Sequence, residues 1–289
     1  METVVLTFLY LAFYSFVGWM CETVYCSVIQ RKLVNRGFLG GPVCPIYGFG
    51  ALAVIFCLTP VRKAPWAVFL LGMLLTTCLE YFTSWAMEKL FHTRWWDYSQ
   101  FKLQINGRVC LLNSLEFGAL CLFVMYVLHP RVETMFGALP VWALWTLAAV
   151  LLALFIVDSA VTLRALLGLD RDTASFAQVA QELWLKLEES GVTAGAEEFI
   201  ERVEGYFDGK KEQLAQLAAE LEERRDDRRA QRGAGLQKLL ARLQALSQEE
   251  SFAKRRLRRA FPHMRSTRYS DQLAKLHQSL RQKLRQKEK

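Results

Sequence analysis

The chain has 289 residues, 53% of them hydrophobic and 22% charged, with a formal net charge of +8. Two unlike parts lie behind these averages: residues 1–165 hold 11 Lys/Arg and 8 Asp/Glu, whereas residues 166–289 hold 25 and 20. The first part repeats apolar runs long enough to cross a hydrocarbon core of about 30 Å as helices, which excludes an ordinary water-soluble enzyme.

Five apolar spans are expected, at 4–29, 43–59, 66–90, 110–129 and 139–164. The first continues apolar from Val4 to Ile29 without a basic leader or a small-residue cleavage site, so it reads as a span and not as a removable signal. Punctuation falls between the spans: Gly37, Gly40, Gly41 and Pro42, then Pro60 and Pro65, then His129 and Pro130, then Pro140. Basic residues concentrate in alternate loops, Arg31, Lys32 and Arg36 after span one and Lys89, Arg94, Lys102 and Arg108 after span three. The other loops carry Arg62, Lys63 and Arg131. Basic loops stay on the cytoplasmic side, so the expected topology has the N-terminus outside and the C-terminal tail inside. Trp66, Trp85, Trp95, Trp96 and Trp142 fall where interfacial anchors belong.

The tail reads as amphipathic helix in pieces, at 173–190, 195–231 and 236–259. Its charge is polarised: residues 166–227 carry 7 basic and 16 acidic side chains, residues 228–289 carry 18 and 4. Such blocks can pair with each other or with a protein partner, or lie on anionic headgroups. No aromatic interleaving points to nucleic acid. The expected architecture is therefore all-α: a transmembrane helical bundle over 1–165 and a cytoplasmic charged helical tail over 166–289.

Chemistry in the bundle must be sought among its ionisable residues, since each is costly in hydrocarbon and needs a partner or a wet cavity. These are Glu22, Glu80, Glu88, Glu116 and Asp158. Glu80, Ser84 and Glu88 share one face of a helix by their four-residue spacing, and Glu88, near the interface, is expected to be solvated. One reading is an acidic polar cavity, open to the cytoplasm and lined by Glu22, Glu80 and Asp158, able to hold a cation, a proton or a polar substrate. The other is a set of buried ion pairs and interhelical hydrogen bonds. Two loops join this question. Residues 35–48, with Arg36, Pro42, Pro45 and Tyr47, lead into span two and would place a helix N-terminus at membrane depth. Residues 92–108 carry Trp95, Trp96, Asp97 and Arg108 as an interfacial or re-entrant lid, in which Asp97 and Arg108 can pair. His92 has no second ligand at metal spacing, and the seven cysteines read as small apolar fillers. Neither a metal site nor a cofactor is expected.

The strings NRGFLGGPVCPIYGFG at 35–50, LEYFTSWAMEKLFHTRWWDYS at 79–99, NGRVCLLNSLEFG at 106–118 and RRLRRAFPHMRSTRYSDQL at 255–273 resemble the CmpB-type family of bacterial ABC-transporter permeases. The resemblance implies a multi-spanning protein of the bacterial inner membrane and a transporter component that is not itself an enzyme. It also implies that Glu22, Arg36, Pro42, Pro45, Tyr47, Glu80, Trp95, Trp96, Asp97 and Arg108 are family positions. At Glu116 the chain departs from the family, with a carboxylate where an uncharged residue is expected. No GxxxxGK[ST] phosphate cradle occurs, so ATP hydrolysis would come from a separate ATPase subunit docking on the tail, and so few spans suggest a homo-oligomer among membrane lipids. The alternative is a non-transporting scaffold or regulator that recruits partners through its tail.

Overall fold

The computed structural model describes residues 2–31, 33–189, 252–261 and 265–266. The tail segments expected at 195–231 and 236–251 lie outside the described residues. Helix α1 is Glu2–Gln30, α2 is Pro45–Leu58 and runs on as a 3₁₀ turn over Thr59–Val61, and α3 is Pro65–Phe91. Two-residue strands follow at Thr93–Arg94 (β1), Gln104–Ile105 (β2) and Val109–Cys110 (β3). Then come α4 (Leu111–Phe123), a π-helical turn (Val124–Leu128), α5 (His129–Gly137), α6 (Val141–Glu189), α7 (Phe252–Ala260) and β4 (Arg265–Ser266).

Four helices, Glu2–Ile29, Pro65–Phe91, Leu111–Gly137 and Val141–Gly168, are long and apolar enough to cross a membrane, and Pro45–Val61 is a shorter apolar helix. The second expected span is thus about 25 Å of helix at 1.5 Å per residue, less than a full crossing. The fourth is longer than expected, because Pro130 does not end it. Pro lacks the amide that would close the turn before it, and the wider π turn at Val124–Leu128 absorbs the loss while the helix continues to Gly137. The fifth span and the tail helix expected at 173–190 fuse into one helix of 49 residues.

By contact the described residues form two units. One comprises 2–31, 33–86, 96–164 and 259–261, the other 87–95, 165–189, 252–258 and 265–266. In the first unit two hairpins are built alike. Tyr47 lies against Gly18, and Gly48 against Ser15 and Leu11, so α2 runs antiparallel to α1 and starts at the middle of it. Ser114 bonds Thr77 at 2.8 Å, and Gly118 packs on Phe69 and Met73, so α4 likewise starts partway along α3. Apolar faces gain little from association inside lipid, and close approach over small residues supplies the packing instead. Around these contacts one cluster joins Tyr14, Val54, Leu58, Val68, Cys121 and Met125. A second joins Val5, Leu9, Val132, Phe136, Leu144 and Ala148.

Trp66 and Trp142 are exposed at the starts of α3 and α6, as anchors should be, whereas Trp95 is buried. All seven cysteines are free, four of them buried. In the second unit Glu88 is ion-paired with Arg94 at 3.6 Å and is not simply solvated. There β4 pairs antiparallel with β1, Thr93 opposite Ser266 and Arg94 opposite Arg265.

A methyl group at Gly48 would lie 2.3 Å from Ser15 Oγ and 2.5 Å from the Leu11 carbonyl oxygen, and main chain cannot yield there. Gly48→Ala should therefore cost about 1–3 kcal/mol, read as a lowered midpoint in thermal unfolding of the detergent-solubilised protein. An unchanged midpoint would mean that α1 and α2 do not pack this closely.

Candidate functional site

The segment that links α1 to α2 is irregular over 33–44, so its amides need partners. Three of these partners come from one stripe of α1. Val34 N donates to Ser27 Oγ at 3.1 Å, Arg36 N to Thr23 Oγ1 at 3.4 Å and Cys44 N to the Ser15 carbonyl at 2.9 Å. Asn35 Oδ1 accepts from Trp19 Nε1 at 2.7 Å and from Gly37 N at 2.9 Å. Ser15, Trp19, Thr23 and Ser27 recur every four residues, so they line one face of the helix. The chain climbs back along them by about 18 Å before α2 begins.

Gly40 N and Gly41 N donate to the two oxygens of Asp158, at 2.6 and 2.7 Å, and Val43 N to the Gly41 carbonyl at 2.8 Å. Asp158 is therefore held by the main chain of the Gly40–Gly41 turn. With Pro42 it lines an open cavity of about 700 Å³ whose other walls, Leu9, Phe13, Phe136, Leu151 and Phe155 among them, are almost all apolar.

Glu22 and Glu80 each accept a tyrosine hydroxyl. Tyr47, in the first turn of α2, donates its hydroxyl to Glu22 Oε1 at 2.6 Å, and Arg36 Nε stands 3.7 Å from Glu22 Oε2. Glu80 Oε1 accepts from Tyr98 at 3.1 Å and from Asn113 Nδ2 at 2.9 Å. Glu22, Tyr47, Tyr98 and Glu80 are close enough to feel one another's charge. Tyr98 lies in the loop between α3 and α4, and burial, reinforced by the Glu80 carboxylate, pushes its hydroxyl well above the usual phenol range. It stays a fixed donor at any physiological pH. Asn113 sits in the first turn of α4, so the amide-rich end of that helix faces a carboxylate, a favourable sense. Glu80 is 8% exposed, and its second oxygen, Oε2, has no hydrogen-bond partner among the described residues.

The loop over α3 is anchored by ordinary turn chemistry. Asn106 and Gly107 take positive φ between β2 and β3, where Gln104 pairs with Cys110 and Ile105 with Val109. Trp96 Nε1 donates to the Arg108 carbonyl at 3.0 Å. Arg108 lies over the Tyr81 ring at 5.6 Å and reaches Ser84 Oγ at 3.4 Å. Asp97 accepts from Ser99 N at 3.0 Å. Glu116 is exposed on α4, outside the acid pair. The polar stripe of α1 is the part that sequence reasoning missed, together with Glu80 as the partner of Tyr98 and Asn113. The four-residue spacing of the stripe was the available signal, whereas the role of Tyr98 appears only once its loop is folded.

Together the features define a polytopic helical membrane protein in which two helices start partway along their neighbours, one bringing Tyr47 to Glu22 and the other Asn113 to Glu80. The family model described as "Putative ABC-transporter type IV" (CmpB) matches residues 9–163, and the chain belongs to that family. No curated protein and no solved structure matches it.

An Asn at 158 would keep the shape but turn an NH₂ group toward one of the two glycine amides. Because an unpaired amide costs about 1–3 kcal/mol, Asp158→Asn should lower the thermal midpoint, while Glu116→Gln should leave it nearly unchanged. Equal effects of the two substitutions would mean that the Asp158 contacts do not hold the turn.

Proposed function

We propose that the protein is the membrane-embedded permease component of a transport system, with Glu22 and Glu80 as its binding point for a cation, a proton or a basic group of the substrate. The observation that carries this reading is Glu80. One oxygen takes two donors, and the other is buried with none among the described residues. A carboxylate oxygen left so is costly unless a proton or cation completes it, and Glu22 nearby adds a second acidic group. Helices that begin at depth, as α2 and α4 do, are the usual way to aim polar groups at a site inside a membrane.

In this reading segment 33–44 and α2 together make one crossing, so the path crosses five times. The basic loops 31–36 and 89–108 face the cytoplasm of a bacterial inner membrane, the N-terminus lies outside, and residues 166–289 form a cytoplasmic tail. The acid pair then opens inward, self-association completes the pathway, and a separate ATPase subunit or other cytoplasmic protein docks on the tail. A second reading, a scaffold that recruits partners, is favoured by one observation: α6 runs 49 residues without a break, about 73 Å, and so far outreaches a bilayer.

The test uses proteoliposomes with protons, sodium and potassium as probes. The wild type should move one of them, and Glu80→Gln or Glu22→Gln should reduce the rate by at least about tenfold, the loss of one charge-assisted contact, with insertion unchanged. Were both substitutions silent while deletion of residues 190–289 abolished function, the scaffold reading would replace this one.

A further inference from the structure

The helix α7, FAKRRLRRA, has five basic side chains in nine residues, and so short a helix has little stability alone in water. It is nonetheless docked. Leu257 and Ala260 are 0% and 1% exposed, and Lys254 packs on Gly168 of α6. Five residues past its end, β4 adds a strand to β1. Its last carbonyl, that of Ala260, accepts from Arg36 Nη1, and the Arg36 guanidinium lies 5.1 Å from the centre of the Phe261 ring. The negative end of a helix and an aromatic face both attract a cation, so this end of the segment is shaped for Arg36.

Arg36 also faces Glu22, but at 3.7 Å, well beyond the roughly 2.8 Å of a charge-assisted hydrogen bond. A guanidinium is a rigid planar fork. While one edge is committed to the Ala260 carbonyl and the plane to Phe261, the group cannot close on the carboxylate.

We propose that Ala260 and Phe261, at the end of α7, are an intramolecular latch that draws Arg36 away from Glu22, and that release of the latch lets Arg36 pair fully with Glu22. The partner recognised at the Arg36 surface is thus the chain's own tail, and the latch sets how much of Glu22 remains open to a cation. The functional meaning of this control rests on the proposed role of Glu22, while the latch itself does not.

Full-length protein in lipid nanodiscs would be examined by two measurements: hydrogen–deuterium exchange over 252–261, and labelling of Glu22 by dicyclohexylcarbodiimide, which requires the protonated acid, across a pH series. Phe261→Ala should speed exchange of the segment by about fivefold or more. It should also shift Glu22 labelling to lower pH, because a paired carboxylate gives up its charge less readily. Arg36→Lys, which keeps the charge but loses the fork, should speed exchange to the same degree, and Phe261→Trp should restore both wild-type values. Unchanged exchange in Phe261→Ala, or faster exchange without the labelling shift, would overturn the latch. Failure of the transport reading would look different: Glu22→Gln would transport normally while the exchange and labelling results stood.

Discussion

Non-helical main chain inside a bundle of apolar helices is tolerable only if each of its amides finds an acceptor. That requirement organises this protein. Segment 33–44 turns back along α1 because Ser27, Thr23, Trp19 and Ser15 provide a polar stripe, with Asn35 as the link to Trp19. The turn at Gly40–Gly41 is closed by a carboxylate from α6. Because the segment is held, α2 can start beside the middle of α1 and bring Tyr47 to Glu22. The loop over α3 obeys the same rule with other parts: Tyr98 N donates to the Gly107 carbonyl and Leu111 N to the Leu103 carbonyl. It delivers Tyr98 and Asn113 to Glu80.

The acids of the bundle consequently divide by role. Asp158 holds a turn, Glu88 is paired with Arg94, and Glu116 faces outward. Glu22 and Glu80 remain, each bonded by a tyrosine and each within electrostatic reach of the other. A buried carboxylate whose hydrogen bonds were complete would be a structural element only. Glu88 Oε2 has the Arg94 guanidinium 3.6 Å away, whereas the buried Oε2 of Glu80 has neither a cation nor a hydrogen-bond donor among the described residues, and this ties Glu80 to the proposed transport chemistry.

Glycine and small polar residues do the packing that the hydrophobic effect cannot do between helices in lipid. Gly18 and Gly48 admit the close contact of α1 and α2, and Gly72, against Cys121, admits that of α3 and α4. These contacts leave Arg36 at the rim of the acid pair, where its planar side chain meets both Glu22 and the Ala260–Phe261 end of the tail. One cation with two competing partners is a natural place for a fold to exert control.

Much of this was legible in the residues themselves. The length and polarity of the runs determined that the chain is a multi-spanning helical protein, because hydrocarbon excludes unpaired main chain and leaves few alternatives. The loop strings determined its family, and the cost of charge in lipid singled out Glu22, Glu80 and Asp158 for attention. What each of these acids meets was decided only by the tertiary structure. Helical spacing reports neighbours along one helix, whereas the bonds from Tyr98 and Asn113 to Glu80, from Gly40 and Gly41 to Asp158, and from Arg36 to Ala260 join positions between 18 and 224 residues apart. Such pairings arise from packing, and no local pattern encodes them.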